Sequence, residues 1–446
     1  MNVTITPNNS MKVLSKREIN HLLNSDSSLK QIFKNCSLAI LNCGSDTSDG
    51  IELCERYPDF DISIIPQEFG IKLDITNAPS SAFVDGKMIE SIKQNIFSAL
   101  RDIIYSNTDN KTDEFTSSDI TNEVFNTLRN ANVLKVNSDV NLCVCWGGHT
   151  ISDVEYQYSK KVGYHLGLRG LNVSTGSGAG IMKSTIKGAS IGHAKQRISN
   201  GLYLGVSEPG IISTESPNQI INELIIMPTI ERRLEAFIRT GHGIIVFPGG
   251  AGTLEEILFA LGILLHPNNK DIPFPLIFAG DESSKEYFEQ IDNFIRATLG
   301  KKARHLYEII IGQPELVAQR MAAGLKEVKE FRKTRDAYYF NWLLHIDNDF
   351  QQPFIPTHES MLKLNLFKDQ PINELAANLR RAFSGIVAGN VKSEGVKQIE
   401  EHGNFELYGD VEIMQLLDAL LSSFVAQNRM KLRGNTYIPC YKIINI

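Results

Sequence analysis

The sequence predicts an α/β protein: a doubly wound parallel sheet at its centre, a smaller N-terminal α+β region and a mainly helical C-terminal region. Three observations carry this expectation. Residues 138–325 alternate short apolar runs with helical stretches, the pattern that builds a parallel sheet covered on both faces. Two glycine-rich turns, Gly176-Ser177-Gly178-Ala179-Gly180 and Pro248-Gly249-Gly250-Ala251-Gly252, each stand between an apolar run and a helical stretch. The chain has 446 residues, 42% of them apolar, enough for about three domains of roughly 150 residues each.

The first region, 1–137, holds strand-like runs at 37–41, 62–65 and 71–75, then a helical stretch at 88–105. The polar segment 106–114 reads as a loop. Thr116-Ser117-Ser118-Asp119 has the pattern of a capping box, so a helix should start there. In the core, 138–325, strands are expected at 142–146, 171–175, 203–206, 223–227, 244–247 and 275–278. Helices are expected at 153–168, 181–192, 229–239, 253–265 and 283–299. This is a Rossmann-like order, in which ligands bind beyond the carboxyl ends of the strands. The last region, 326–446, reads as helical with Pro353, Pro356 and Pro371 as punctuation. The basic stretch 325–335 within and beside it reads as a solvated helix face.

Bulk properties exclude several classes. Lys+Arg number 45 against Asp+Glu 51, a net charge of −6, which gives no global attraction to nucleic acid or to a membrane surface. No run approaches the roughly 18 apolar residues of a membrane span, and residues 1–34 lack the apolar core of a signal peptide. The six cysteines form no CxxC pair or zinc knuckle. Cys143 and Cys145 share one face of an expected strand and read as buried free thiols. A reduced, cytoplasmic protein without a metal or cofactor is expected.

The Pro248–Gly252 turn carries the sharpest chemical signal. It runs from an apolar strand into a helix, and glycines let a backbone approach an anion closely while the helix N-terminus offers free N–H groups. Such a loop binds phosphate, yet Glu255 and Glu256 follow in the first helical turns. Periodicity does not separate the two acids, because the helix after them is apolar nearly all round. In the helix upstream, Ile230, Leu234, Phe237 and Ile238 make an apolar face, with Arg232, Glu235 and Arg239 on the opposite, solvated side. Arg233 borders the apolar face, and two readings stand for it: reaching the phosphate loop, or snorkelling outward.

The other glycine turn departs from a dinucleotide fingerprint, since Ile181 stands where the third glycine belongs and Lys195 and Arg197 lie where an acid should follow. A tight structural turn and a ligand loop both remain open for it. That departure disfavours a nicotinamide oxidoreductase, and no Gly-Lys-Ser/Thr follows either loop to make a P-loop. Gly147, Gly148 and His149 end the first core strand in a third such loop.

Taken together, these segments resemble the "lonely guy" or lysine-decarboxylase-like family of nucleoside-monophosphate phosphoribohydrolases. The family signature Pro-Gly-Gly-x-Gly-Thr-x-x-Glu stands at Pro248 to Glu256 without departure, and Met227 followed by Arg233 matches the upstream arginine element. The Gly176 to Met182 segment is similar to the family's first glycine loop. Cys145 to His149, Gly188 to Arg197 and Asn222 to Glu256 resemble its larger members, which carry extra terminal domains around the same core. The lysine decarboxylase label does not fit, because that chemistry needs a lysine bound to pyridoxal phosphate and the signature contains none.

The resemblance implies hydrolysis of purine and pyrimidine nucleoside monophosphates to free base and ribose 5-phosphate. It implies Glu256 and Arg233 as the catalytic pair. Gly249, Gly250, Ala251, Gly252 and Thr253 would cradle the phosphate, with Gly176, Gly178, Gly180, Met182, Gly147 and Gly148 completing the substrate site. It implies a homo-oligomer, a dimer or tetramer, with terminal regions that regulate the core in response to a guanine-nucleotide alarmone. The alternative from the same fold is a non-catalytic carrier of a nucleotide or a phosphorylated pterin cofactor.

Overall fold

An apolar run can become a strand or the buried end of a helix, and the N-terminal third shows both outcomes. The structure, a computed structural model, describes residues 1–43, 50–105, 115–135, 139, 141–213, 215–335, 339–391, 393–429 and 439–444. The expected loop at 106–114 and the boundary at 137/138 lie outside the described residues. Strands β1 (Val3–Ile5), β2 (Asp61–Pro66) and β3 (Ile71–Thr76) form an antiparallel sheet in the order β1-β3-β2. The run at 37–41, expected as a strand, is instead the end of a helix. Helices α1 (Lys16–Leu23) and α2 (Ser27–Leu41) precede α3 (Gly50–Arg56), and α2 is started by the Asp26 carboxylate, which accepts the Ser28 N–H. Cys36 to Leu41 are all buried, so burial continues around the helix end without the alternation that a half-buried strand needs.

A two-residue hairpin, β4 (Phe83–Val84) and β5 (Lys87–Met88), leads into α4 (Glu90–Ala99), which continues as a π-helical turn over Leu100–Tyr105. Helix α5 (Ser117–Asn130) starts at Thr116 with the expected capping box.

The core then follows as β6 (Leu142–Trp146), α6 (Asp153–Leu168), β7 (Asn172–Thr175), α7 (Gly180–Lys195), β8 (Tyr203–Ser207), α8 (Pro209–Ile212), β9 (Glu223–Ile226), α9 (Ile230–Thr240), β10 (Gly243–Val246), α10 (Ala251–Leu265), β11 (Leu276–Gly280), α11 (Lys285–Arg304), β12 (Glu308–Ile311) and α12 (Pro314–Lys333). Strand β12 was not anticipated: it is four residues long and opens on an exposed Glu308, which hides the apolar run. Beyond the core lie α13 (Asn348–Gln351), α14 (His358–Leu362), α15 (Ile372–Val391), α16 (Ser393–His402) and α17 (Val411–Ala426), with the short parallel pair β13 (Phe405–Leu407) and β14 (Tyr441–Ile443).

The core strands form a seven-stranded sheet whose described pairings are all parallel, with a helix between most successive strands, as the alternation required. Strands β7, β8 and β9 pair in succession, and the chain then returns to pair β10 with β6, followed outward by β11 and β12. This reversal makes the sheet doubly wound and sets a switch point between β6 and β10.

The chain divides into two compact units, Met1–Asp139 with Asn172–Ala179 and Asn200–Phe237, and Val140–Leu171 with Gly180–Ser199 and Ile238–Ile446. In the second unit, α6 and α7 cross at backbone contact through glycines spaced four apart. A Cβ on Gly163 would lie 2.1 Å from the Thr185 carbonyl oxygen, and one on Gly188 would lie 2.0 Å from that of Lys160. The Ser159 and Ser184 hydroxyls bridge the same crossing at 2.5 Å. In the basic stretch, Lys326, Lys333 and Arg335 are exposed as expected, but Arg332 is buried and donates to the Gly241 carbonyl at 3.1 Å. No helix among the described residues is long and apolar enough to cross a membrane.

Candidate active site

The switch point brings three glycine segments of the second unit together through backbone hydrogen bonds. Phe247 donates to the Trp146 carbonyl at 2.9 Å, and Gly148 donates to that of Pro248 at 2.9 Å, so the loops after β6 and β10 run side by side. Ile181, in the first turn of α7, donates to the Gly148 carbonyl at 3.1 Å. Gly180 has φ +58°, and a Cβ there would lie 2.3 Å from the His149 carbonyl oxygen, so no other residue fits that turn. Gly147, Gly148 and Met182 are half-buried around the same place.

Helix α10 leaves this point without a side-chain cap at its N-terminus. Gly250 is its extended N-cap residue and no side chain caps it, while Thr253 and Leu254 close the first turn on the Gly250 carbonyl at 3.1 and 3.2 Å. The amides of Ala251 and Gly252 precede that first bond and carry the positive end of the helix dipole. Gly252 is exposed, and a Cβ there would meet nothing within 4 Å. Gly249 plays another part. Its N–H donates inward to the Tyr287 hydroxyl at 3.1 Å, and a Cβ on it would lie 2.1 Å from Thr253 Oγ1. Burial pushes the Tyr287 phenol up to about 12, so it remains a neutral acceptor for that amide. Arg429, just beyond α17, stacks 4.9 Å over the Tyr287 ring and donates to Glu155 at 2.7 Å.

The two acids that periodicity left together are separated by their surroundings. Glu255 is buried against α15, where its Oε1 stands 3.2 Å from Nη1 of the fully buried Arg380. Glu256, 100° further round the helix, is half-buried and lies in the second turn of α10. One carboxylate is committed to packing two helices. The other is only half-buried.

In the first unit, Gly176 and Gly178 lie at the end of β7, and the structure adds a residue the sequence did not suggest. Glu215 accepts the Ala179 N–H at 2.6 Å, and a Cβ on Gly178 would lie 2.3 Å from the same carboxylate. No motif or periodicity marks Glu215, because it reaches the loop across 36 positions of sequence. On α9, Arg233 is buried and does not snorkel. Its Nε donates to the Val206 carbonyl at the end of β8 at 3.0 Å, and its guanidinium lies 5.3 Å from the centre of the Phe237 ring. The expected solvated face of α9 is absent: Arg232, Glu235 and Arg239 are all buried. Partners distant in sequence satisfy them. Glu123 binds Arg232 at 2.5 Å, Thr121 donates to Glu235 at 2.7 Å, and Arg239 donates to the carbonyls of Asn341 and Leu344 at 2.7 and 2.6 Å.

One cluster among the described residues has metal-ligating side chains: His266, His345 and Asp347, with the two Nε2 atoms 3.5 and 3.0 Å from Asp347 Oδ1. His266 Nδ1 accepts the Asn268 N–H at 3.2 Å, so the neutral ring keeps its proton on Nε2, facing the carboxylate. That favours hydrogen bonding over ligation, and the cluster sits at the far end of α10, about 22 Å from its N-terminus by helix rise. Cys36, Cys143, Cys145 and Cys440 are buried free thiols, and Cys54 is exposed.

Comparison with known proteins extends beyond this geometry. A family described as pyrimidine/purine nucleotide 5'-monophosphate nucleosidases matches residues 3–110, one described as possible lysine decarboxylase matches 182–321, and one described as pyrimidine/purine nucleotide monophosphate nucleosidase, C-terminal, matches 325–444. The chain is 51% identical over 454 residues to the pyrimidine/purine nucleotide 5'-monophosphate nucleosidase of Escherichia coli strain K12, covering 98% of this chain and 99% of the relative. The protein of the same name from Escherichia coli O157:H7 matches with the same identity and coverage. Among solved structures, a molybdenum cofactor binding protein from Rippkaea orientalis covers 43% of this chain and 99% of its own at 18% identity, with a TM-score of 0.30.

Proposed function

The chain belongs to the pyrimidine/purine nucleotide 5'-monophosphate nucleosidase family, and from that membership we propose that it hydrolyses the N-glycosidic bond of purine and pyrimidine nucleoside 5′-monophosphates. Water adds at C1′ of the ribose, the C1′–N bond breaks, and free base and ribose 5-phosphate leave. The observation that carries this reading is the start of α10, a glycine-lined helix N-terminus with no side-chain cap, followed within two turns by the half-buried Glu256.

In this reading the 5′-phosphate docks on the Gly250, Ala251 and Gly252 backbone, where the helix dipole and the N-terminal amides favour an anion. Thr253 and the inward-facing Gly249 hold the shape of the loop. Cleavage builds positive charge on the sugar, as in other glycoside hydrolyses, and the Glu256 carboxylate stabilises that charge and takes a proton from the attacking water. Arg233 offsets the repulsion between carboxylate and phosphate, a task for which its forked donors suit it. The Gly147–Gly148 loop, Gly176, Gly178, Gly180 and Met182 complete the substrate site.

The regions 1–137 and 326–446 act as regulatory domains around the 138–325 core, in a dimer or tetramer that responds to a guanine-nucleotide alarmone. The family likeness of both terminal regions supports that division. The decarboxylase description finds no support in the chemistry, since no lysine lies between Pro248 and Glu256. A carrier function would need the loop but not the acid.

The test is incubation with AMP, GMP, CMP and UMP, with and without guanosine tetraphosphate, followed by quantification of free base and ribose 5-phosphate. Release of both in equal amounts is the expected result. No release from any of the four overturns the proposal.

A further inference from the structure

Strand β9 runs through Met227 into α9, so whatever fixes β9 and the first turns of α9 also fixes Arg233. Strand β9 ends the order of its sheet and, among the described residues, pairs with β8 alone. Backbone groups on its other edge are taken by two consecutive side chains of the π-helical turn. Asp102 accepts the Ile226 N–H at 2.9 Å, and Arg101 donates to the Leu224 carbonyl at 2.7 Å. Leu224 and Ile226 are two residues apart, so the two side chains meet the strand where a neighbouring strand would. They are also bonded to each other at 2.6 and 2.8 Å, with side-chain exposures of 3% and 0%. A buried ion pair contributes little net stability, because desolvation offsets the attraction. What it supplies here is a fixed position for the strand edge, and π-helical turns are frequent at functional sites.

Helix α5 makes a second grip. Glu123 binds Arg232 and Thr121 binds Glu235, the residues one before and two after Arg233. Two contacts at different angles around α9 fix its rotation and its height together.

We propose that Asp102 and Glu123 are positioning residues for Arg233, making the N-terminal region part of the apparatus that cleaves the glycosidic bond. This rests on the assignment of Arg233 to catalysis. The Arg233 Nε–Val206 contact depends on the rotation of α9, so loosening the grip swings the guanidinium away from its place at the end of β8.

The test uses the full chain with AMP as substrate, comparing Glu123→Gln and Asp102→Asn in the wild type and in an Arg233→Ala background, with slow rates read at high enzyme concentration. Glu123 is 40% exposed at its side chain, so Glu123→Gln keeps the test valid if Asp102→Asn does not fold. The expected result is a kcat about tenfold lower for Glu123→Gln, with KM within about twofold and an unchanged melting temperature. In the Arg233→Ala background the same substitution changes nothing further. An equal loss in both backgrounds, or none in the wild type, overturns the proposal. Unchanged turnover in Arg233→Ala alone instead removes Arg233 from its assigned role.

Discussion

Replacing Glu255 by alanine separates stability from catalysis at two adjacent acids. The Glu255 carboxylate faces Arg380, whose side chain has 0% exposure, at 3.2 Å. Removing one member of a buried pair leaves a desolvated charge short of a partner and costs about 3–5 kcal/mol. At about 2.1 cal/mol/K per residue, a chain of 446 residues has an unfolding entropy near 0.9 kcal/mol/K, so the melting temperature should fall by about 3–5 °C. The double variant Glu255→Leu/Arg380→Met removes both charges and should recover most of that loss. Turnover in Glu255→Ala should stay within about tenfold of the wild type, because this carboxylate is directed at α15. The assay is thermal unfolding by circular dichroism beside release of base from AMP. An unchanged melting temperature, or turnover as completely lost as in a Glu256 variant, refutes the separation of roles.

Glu256→Gln should lower kcat at least about 1,000-fold, equivalent to roughly 4 kcal/mol of lost transition-state stabilisation, with nucleotide binding retained in a calorimetric titration. Two glycines should fail differently. Gly180→Ala places a Cβ 2.3 Å from the His149 carbonyl at φ +58° and should lower the melting temperature, whereas Gly252→Ala meets nothing within 4 Å and should raise KM without destabilising the fold. Thiol accessibility follows burial: at pH 8 an alkylating reagent should modify Cys54 first, while Cys36, Cys143, Cys145 and Cys440 react only on unfolding. Burial and the nearby Glu208 push the Cys36 thiol up to about 12, so roughly one molecule in 10,000 carries the reactive thiolate at pH 8. Rapid labelling of Cys36 in the native protein would contradict the packing of α2.

Local patterns were legible because their causes are local. The capping box at Thr116, the buried strand at Leu142–Trp146 and the strand–glycine–helix order at Phe247 to Ala251 each follow from neighbouring residues alone. The run at 37–41 misled because an apolar stretch of that length fits a strand or a buried helix end equally well, and only the helix start at Asp26 distinguishes them.

Residue order alone was enough to read the alternating core, the glycine loop of phosphate-binding type and the two acids beside it. Packing set what Glu255 faces, the buried Arg380. Helical periodicity places Glu255 and Glu256 100° apart, but on a helix apolar all round it does not say what each faces. Arg380 answers that from 125 residues away. The polar side of α9 is a similar case, where Glu123 and Thr121 turn an expected solvent face into a buried contact across more than 100 positions. Charge and spacing are written in the chain, but the partner that neutralises a charge is fixed only when distant segments pack.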